Sequence, residues 1–183
     1  MDSWKKHHAG WDIILWDDAR VRALRDANEL KNHKAFDVAT NYGEKSDILR
    51  YELLFRHGGV YADVDFECIR SFDELLSHPV DFFIGVSNTK TLELNNGLIG
   101  SVPGHPLLLE LIEGICIDPM ATVAALVGQP IPSSFMSTIE RTGPGHVTRK
   151  TMALWDNLPN TVAFPIRYFY PVPNTIAASV ENV

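Results

Sequence analysis

Residues 46–67, SDILRYELLFRHGGVYADVDFE, press a helix, a stop and a strand into one short run. Ser46 reads as the N-cap of a helix, because its hydroxyl can accept from an unpaired first-turn amide. Gly58-Gly59 reads as the stop, since glycine takes the left-handed backbone that ends helices at least steric cost. Two residues do no more than turn the chain, so the strand from Val60 to Phe66 must pack beside the helix that precedes it. Side chains alternate along a strand. Val60, Ala62, Val64 and Phe66 then form an apolar face, with Tyr61, Asp63 and Asp65 opposite. That spacing sets the two carboxylates roughly 6.5–7 Å apart. Like charges so close repel unless something positive sits beside them. A hard divalent cation with oxygen ligands is the usual partner, and one that also bridges a diphosphate stabilises a departing nucleoside diphosphate. Two solvated acids at an exposed strand end are the plain alternative. The flanking glycines favour the ligand reading, because they bring the acids to a strand's carboxyl end, where α/β sheets bind ligands.

The preceding helix adds Asp47 and Arg50, three positions apart and on one face. In isolation they read as a surface ion pair, with Asp47 suited to the dipole at the helix start. Tied to the Asp63/Asp65 strand, they are placed to grip sugar hydroxyls.

Elsewhere, apolar runs at Asp12–Trp16 and Val80–Val86, and a shorter one at Leu98–Ser101, read as strands. Asp17-Asp18 caps a helix through about Leu30, and residues 31–45 read mostly as loop. Helices are expected at residues 72–77, Gly104–Cys116, Pro119–Val127 and Thr148–Leu158, with a Pro-rich loop at Gly128–Ser134 and a tight turn at Thr142–Gly145. Residues 161–172 read as extended. Strands alternating with helices argue an α/β fold with a mostly parallel sheet, in one domain over residues 1–183.

A net charge of −7 argues against a nucleic-acid partner. Cys68 and Cys116 lack metal-type spacing and read as buried free thiols. The histidines form no ligand set. Phe82, Phe83, Tyr168, Phe169 and Tyr170 read as core, with room for one of the last three to stack on an acceptor sugar. No signal-peptide pattern follows Met1.

The run Ser46-Asp47-x-x-Arg50-Tyr51, Leu54, Gly58-Gly59-Val60-Tyr61-x-Asp63-x-Asp65 resembles family 32 of the glycosyltransferases, which carry a DXD sugar-binding region. That family includes fungal α-mannosyltransferases and bacterial capsular-polysaccharide transferases, and clostridial glucosylating toxins are related. Ser3-Trp4-Lys5-Lys6-His7-His8 with Trp11 and Leu15-Trp16-Asp17-Asp18 looks like its early segment. Asn96, Ile99-Gly100-Ser101 and Gly104-His105-Pro106 look like its middle one. Thr142-Gly143-Pro144-Gly145 and Tyr168-Phe169-Tyr170-Pro171 look like its late ones. The family's usual first strand and its late His- and Trp-containing segment have no counterpart here, so the expectation is a chain incomplete at both ends.

The resemblance implies a GT-A type, Rossmann-like nucleotide-sugar fold and transfer of a hexose with retention. Mn²⁺ or Mg²⁺ would sit between Asp65 and the diphosphate, with Asp63 helping through the metal's shell or the ribose. Asp47, Arg50 and Tyr61 would bind the donor sugar, and Asn96, or else Asn95, would lie at the transferred sugar. The donor would be UDP-glucose, UDP-galactose or GDP-mannose, and the acceptor a saccharide or glycolipid, as in polysaccharide biosynthesis. A cytoplasmic enzyme working near a membrane fits this reading. The competing expectations are a nucleotide-sugar binder without turnover and a D-x-D phosphohydrolase.

Overall fold

The computed structural model describes residues 1–88, 92–115 and 138–170. Helices α1 (Asp2–His7), α2 (Asp18–Asp26), α3 (His33–Val38) and α4 (Tyr42–His57) precede strand β1 (Gly59–Ala62). A short helix α5 (Asp73–Leu76), strands β2 (Phe82–Asn88) and β3 (Leu92–Ser101) and helix α6 (Pro106–Glu113) follow. After α7 (Thr138–Arg141) come α8 (Pro144–Leu154), a 3₁₀ turn, β4 (Thr161–Phe164) and α9 (Ile166–Phe169).

The four strands form one open sheet in the order β1-β3-β2-β4, flanked by helices, and the α/β class holds. The expectation of a mostly parallel sheet does not. Only β2–β4 is parallel, while β1–β3 and β2–β3 are antiparallel. The reason is the link from β2 to β3: residues 89–91 are too few for the crossover a parallel pair requires.

Helix α4 explains much of the rest. Its residues are buried almost all round. Ile48, Tyr51 and Leu54 enter the main core with Phe82, Ile84, Ile99, Leu107, Leu108 and Leu111. On the other side, Leu49 and Leu53 pack with Leu30, and Trp16, Val21 and Leu24 lie against them. A helix covered on two sides behaves as an inner element rather than an amphipathic surface one.

Other boundaries differ from the sequence reading. Asn41, not Ser46, caps α4, its Oδ1 accepting from Glu44 N at 2.8 Å. Residues 31–45 are therefore largely helical, and Asp47 lies within α4 rather than at its first turn. Asp12–Trp16 carries no regular strand, and Ile14 and Leu15 are about half exposed, with no strand pairing the run. Asp17 does cap α2, accepting from Arg20 N at 2.9 Å. Helix α8 begins at Pro144, whose fixed φ suits a first helical position. Residues 161–172 are not extended throughout, since Ile166–Phe169 turn into α9. The expectations for Cys116, Pro119–Val127, Gly128–Ser134 and Pro171 fall outside the described residues.

Candidate active site

The strand of the two aspartates ends early. β1 stops at Ala62, and Asp63 opens a turn in which Phe66 N donates to Asp63 O at 3.1 Å. Asp63 and Asp65 thus sit on a turn rather than along one strand face, and Val64 is 91% exposed rather than in the core. What survives is the location, directly beyond the carboxyl end of β1. Helix α1 fastens the outgoing chain: Trp4 Nε1 donates to Phe66 O at 3.1 Å, and Cys68 N to Ser3 Oγ at 3.2 Å. His8 Nε2 accepts from Phe72 N at 2.9 Å.

Opposite the turn, β3 breaks step. Its register with β2 shifts between Ile84 and Gly85, so that Ile84 faces Ile99 and Gly85 faces Asn95. Such irregularities bend a strand and re-aim its groups. Here the Asn96 carbonyl accepts from Arg50 Nη1, and Gly97 O accepts from Asp63 N at 2.9 Å. Gly97 leaves room beside the turn: a Cβ there would lie 2.9 Å from Asp63 Oδ2 and would push that side chain aside.

Arg50 is the hub. Its Nη2 lies 3.1 Å from Asp47 Oδ1 and 3.1 Å from Asp63 Oδ1. The same fork reaches Ser46 Oγ at 3.1 Å, while Nε donates to Ser46 O at 3.2 Å. The guanidinium carbon stands 4.7 Å from the centre of the Tyr61 ring, a cation–π arrangement. Tyr61 Oη donates to Asp63 Oδ1 at 3.0 Å. Behind Arg50, Asn96 Nδ2 donates to Asp47 Oδ1 and to Tyr51 Oη, both at 2.8 Å. Thr142 Oγ1 donates to Asp47 Oδ2 at 2.9 Å, and Tyr51 Oη donates to the Thr142 carbonyl.

These residues differ in what they offer a ligand. Asp47, Arg50 and Asn96 are buried and satisfied by one another. Asp63 keeps about a third of its side chain exposed, Asp65 is exposed and Tyr61 and Asn95 are half-buried. Burial pushes the Asp63 carboxyl above the ordinary range, against the pull of Arg50 and the Tyr61 hydroxyl. Burial also raises the phenols of Tyr61 and Tyr51, so both act as neutral donors.

Around this cluster runs a cleft of about 1160 Å³. Its walls include Tyr42, Gly43 and Ser46 at the start of α4, the Asp63–Asp65 turn, and Trp11, Ile14, Leu15 and Trp16. Among the described residues no group of three His, Cys, Asp or Glu side chains is assembled to hold an ion. Two carboxylates nevertheless fit Mg²⁺ or Mn²⁺, which bind through one or two carboxylates and complete their shells with phosphates and water. The space left by Gly97 supports the fit, because Asp63 Oδ2 carries no hydrogen bond from a described residue and is free to accept a cation.

Residues 1–81 match the family model described as glycosyltransferase sugar-binding region containing DXD motif. This stretch is similar to the DXD-containing sugar-binding region of glycosyltransferases. It holds Asp47, Arg50, Tyr61, Asp63 and Asp65, whereas Asn96 and Thr142 close the site from outside it. Inositol phosphoceramide mannosyltransferase 3 of Schizosaccharomyces pombe is 29% identical over 108 residues, covering 59% of this chain and 29% of that protein. An uncharacterized glycosyltransferase of Acanthamoeba polyphaga mimivirus is 34% identical over 105 residues, covering 56% of this chain and 41% of its own length. The chain thus spans less than half the length of either relative. Among solved structures, PaToxG glycosyltransferase aligns with a TM-score of 0.44 at 17% identity, covering 74% of this chain and 40% of that one.

Sequence reasoning brought Asp47, Arg50, Tyr61, Asp63 and Asn96 to one place. It gave Tyr51 no site role, and it read Thr142 only as part of a tight turn. The Tyr51 ring lies in the core, while its hydroxyl joins the Asn96–Thr142 network. The DXD region's other supports, α1 and the β3 irregularity, carried no local signal.

Proposed function

We propose that this chain binds a nucleotide-sugar through a divalent cation at Asp63 and Asp65 and transfers the hexose, with retention, to a saccharide or glycolipid acceptor. The observation that carries the reading is the Arg50 guanidinium divided between buried Asp47 and part-exposed Asp63 at the mouth of the cleft. Asp47 and Arg50 cancel one another, which leaves Asp63 and Asp65 as unbalanced negative charge facing the cleft. That is the charge a cation–diphosphate complex requires.

When bound, Mn²⁺ or Mg²⁺ supplies positive charge to the diphosphate oxygens as the nucleoside diphosphate leaves. The chain's own groups do the rest. Asp63 Oδ2 and Asp65 would hold the ion. Arg50, buried and fixed by five partners, holds the Asp63 carboxylate in place beside the cleft. Tyr61 covers its face and keeps the Asp63 carboxylate oriented. Asn96 acts from behind as a positioning residue, and Asn95 is the more exposed of the two. Relatives named as mannosyltransferases put a mannosyl donor first among those to try, and the inositol phosphoceramide in their names favours a glycolipid acceptor near a membrane. No helix among the described residues is long and apolar enough to cross one.

Calorimetric titration with UDP and GDP, with Mn²⁺ and then with excess EDTA, tests the binding half of this reading. Binding of one nucleotide that vanishes with EDTA is the expected result. Equal binding in EDTA would contradict a metal-held diphosphate.

A further inference from the structure

Thr142 lies 95 residues from Asp47 in sequence, yet its hydroxyl meets that carboxylate in the interior. It is 1% exposed. The segment that bears it is clamped to α4 and its N-cap residue by three separate contacts. Asn41 Nδ2 donates to Thr138 Oγ1 at 3.0 Å, Arg141 pairs with buried Glu44, and the Thr142 carbonyl accepts from Tyr51.

A threonine hydroxyl has one proton to give. Two acceptors compete for it: Asp47 Oδ2 at 2.9 Å and Thr138 O at 3.3 Å. The nearer acceptor is the charged one, and bonds to ionised acceptors are the stronger. Asp47 then accepts from Thr142 on Oδ2, and from Asn96 and Arg50 on Oδ1. Each carboxylate oxygen has its own donors, so the carboxylate has no reason to rotate.

Without the Thr142 hydroxyl, Oδ2 would be a buried charged acceptor with no donor, which is costly. The neighbouring guanidinium offers the remedy. A planar fork pairs best with both oxygens of a carboxylate at once, and Asp47 needs only to turn for Arg50 to close onto it. That closure draws Nη2 away from Asp63 Oδ1.

We propose that Thr142 is a positioning residue of the transfer reaction: its hydroxyl holds Asp47, and Asp47 in turn holds Arg50 divided between Asp47 and Asp63. This rests on the glycosyl-transfer reading for its kinetic consequence, but not for its structural one. Thr142→Val removes the hydroxyl at nearly constant shape, and Thr142→Ser returns it.

Side-chain nitrogen NMR of ligand-free protein reads the arrangement directly, since a guanidinium with fixed partners rotates slowly. Separate Arg50 Nη signals are expected in wild type and Thr142→Ser, and merged or shifted ones in Thr142→Val. Should Thr142→Val fail to fold, Thr142→Ala makes the same comparison. Wild-type Arg50 signals in a folded hydroxyl-free variant would overturn the proposal. In donor turnover, Thr142→Val should lower kcat about tenfold, less than loss of a donor that touches the reacting charge, with KM unchanged and Thr142→Ser near wild type. A raised KM with unchanged kcat would also overturn it. Absence of turnover in wild type would count against the transfer reading alone, and the NMR comparison would then decide for Thr142.

Discussion

Arg50 shows why a side chain's charge is the smaller part of its role. Its fork reaches Ser46, Asp47, Asp63 and the Asn96 carbonyl at once. A lysine would keep the positive charge and lose that geometry. Arg50→Lys is expected to destabilise the fold by about 2 kcal/mol, the scale of leaving buried acceptors without a donor, and to reduce sugar transfer to background. Urea unfolding and a donor-hydrolysis assay on the same sample check both. Asp63 gives a pH prediction. Burial raises its carboxyl in the folded chain, so between the ordinary carboxylate range and that raised value the native state holds more protons than the unfolded one. Stability contributed by this group in the metal-free chain therefore falls as pH rises through that window. Carboxyl NMR of Asp63 in metal-free protein should give a midpoint above the ordinary range, and a midpoint at or below that range would be wrong for this site.

Elements were legible in the sequence where local chemistry sets them, and obscure where tertiary contacts do. Gly58-Gly59 marked the end of α4 because glycine takes φ of 65° and 93° at least steric cost. At Gly58 space matters as well: a Cβ would lie 2.6 Å from Pro103 Cδ and 2.9 Å from Ser101 O. Gly58→Ala should cost more than about 1 kcal/mol, beyond the usual penalty of a left-handed alanine, and loosen the approach of β1 to α4. Chemical denaturation reads this out; a change of a few tenths would mean that the turn relaxes freely. The start of α4 was misread because Ser46 is a good cap in isolation, yet its hydroxyl donates to Gly43 O and accepts from Arg50 inside the helix. The strand of the aspartates was drawn too long because alternation continues through Val64 and Phe66 after pairing with β3 has ended. The antiparallel β2–β3 pair was readable in principle from a three-residue link between two apolar runs, and the polar stretch Glu93–Asn96 hid the first half of β3.

At the scale of the whole molecule, one buried helix carries the site and the core together. Ile48, Tyr51 and Leu54 belong to the main cluster, while Asp47 and Arg50, one residue before and two after Ile48, hold the charged network. The Tyr51 ring packs in the core, and its hydroxyl closes the network. This arrangement couples stability to function, so substitutions in the network should register in both. The cleft beside α4 carries part-buried Asp63 and exposed Asp65 on one turn and apolar Ile14 and Leu15 on another wall. Asp65 is the residue that separates the two properties: it is exposed, and no hydrogen bond from a described residue depends on it. The most direct test is Mn²⁺-dependent sugar release from a panel of GDP- and UDP-hexoses by wild type and Asp65→Ala. Release by wild type alone, at equal thermal stability of the two proteins, is the predicted result. Release of equal size from both would contradict the metal-held donor at the heart of this account.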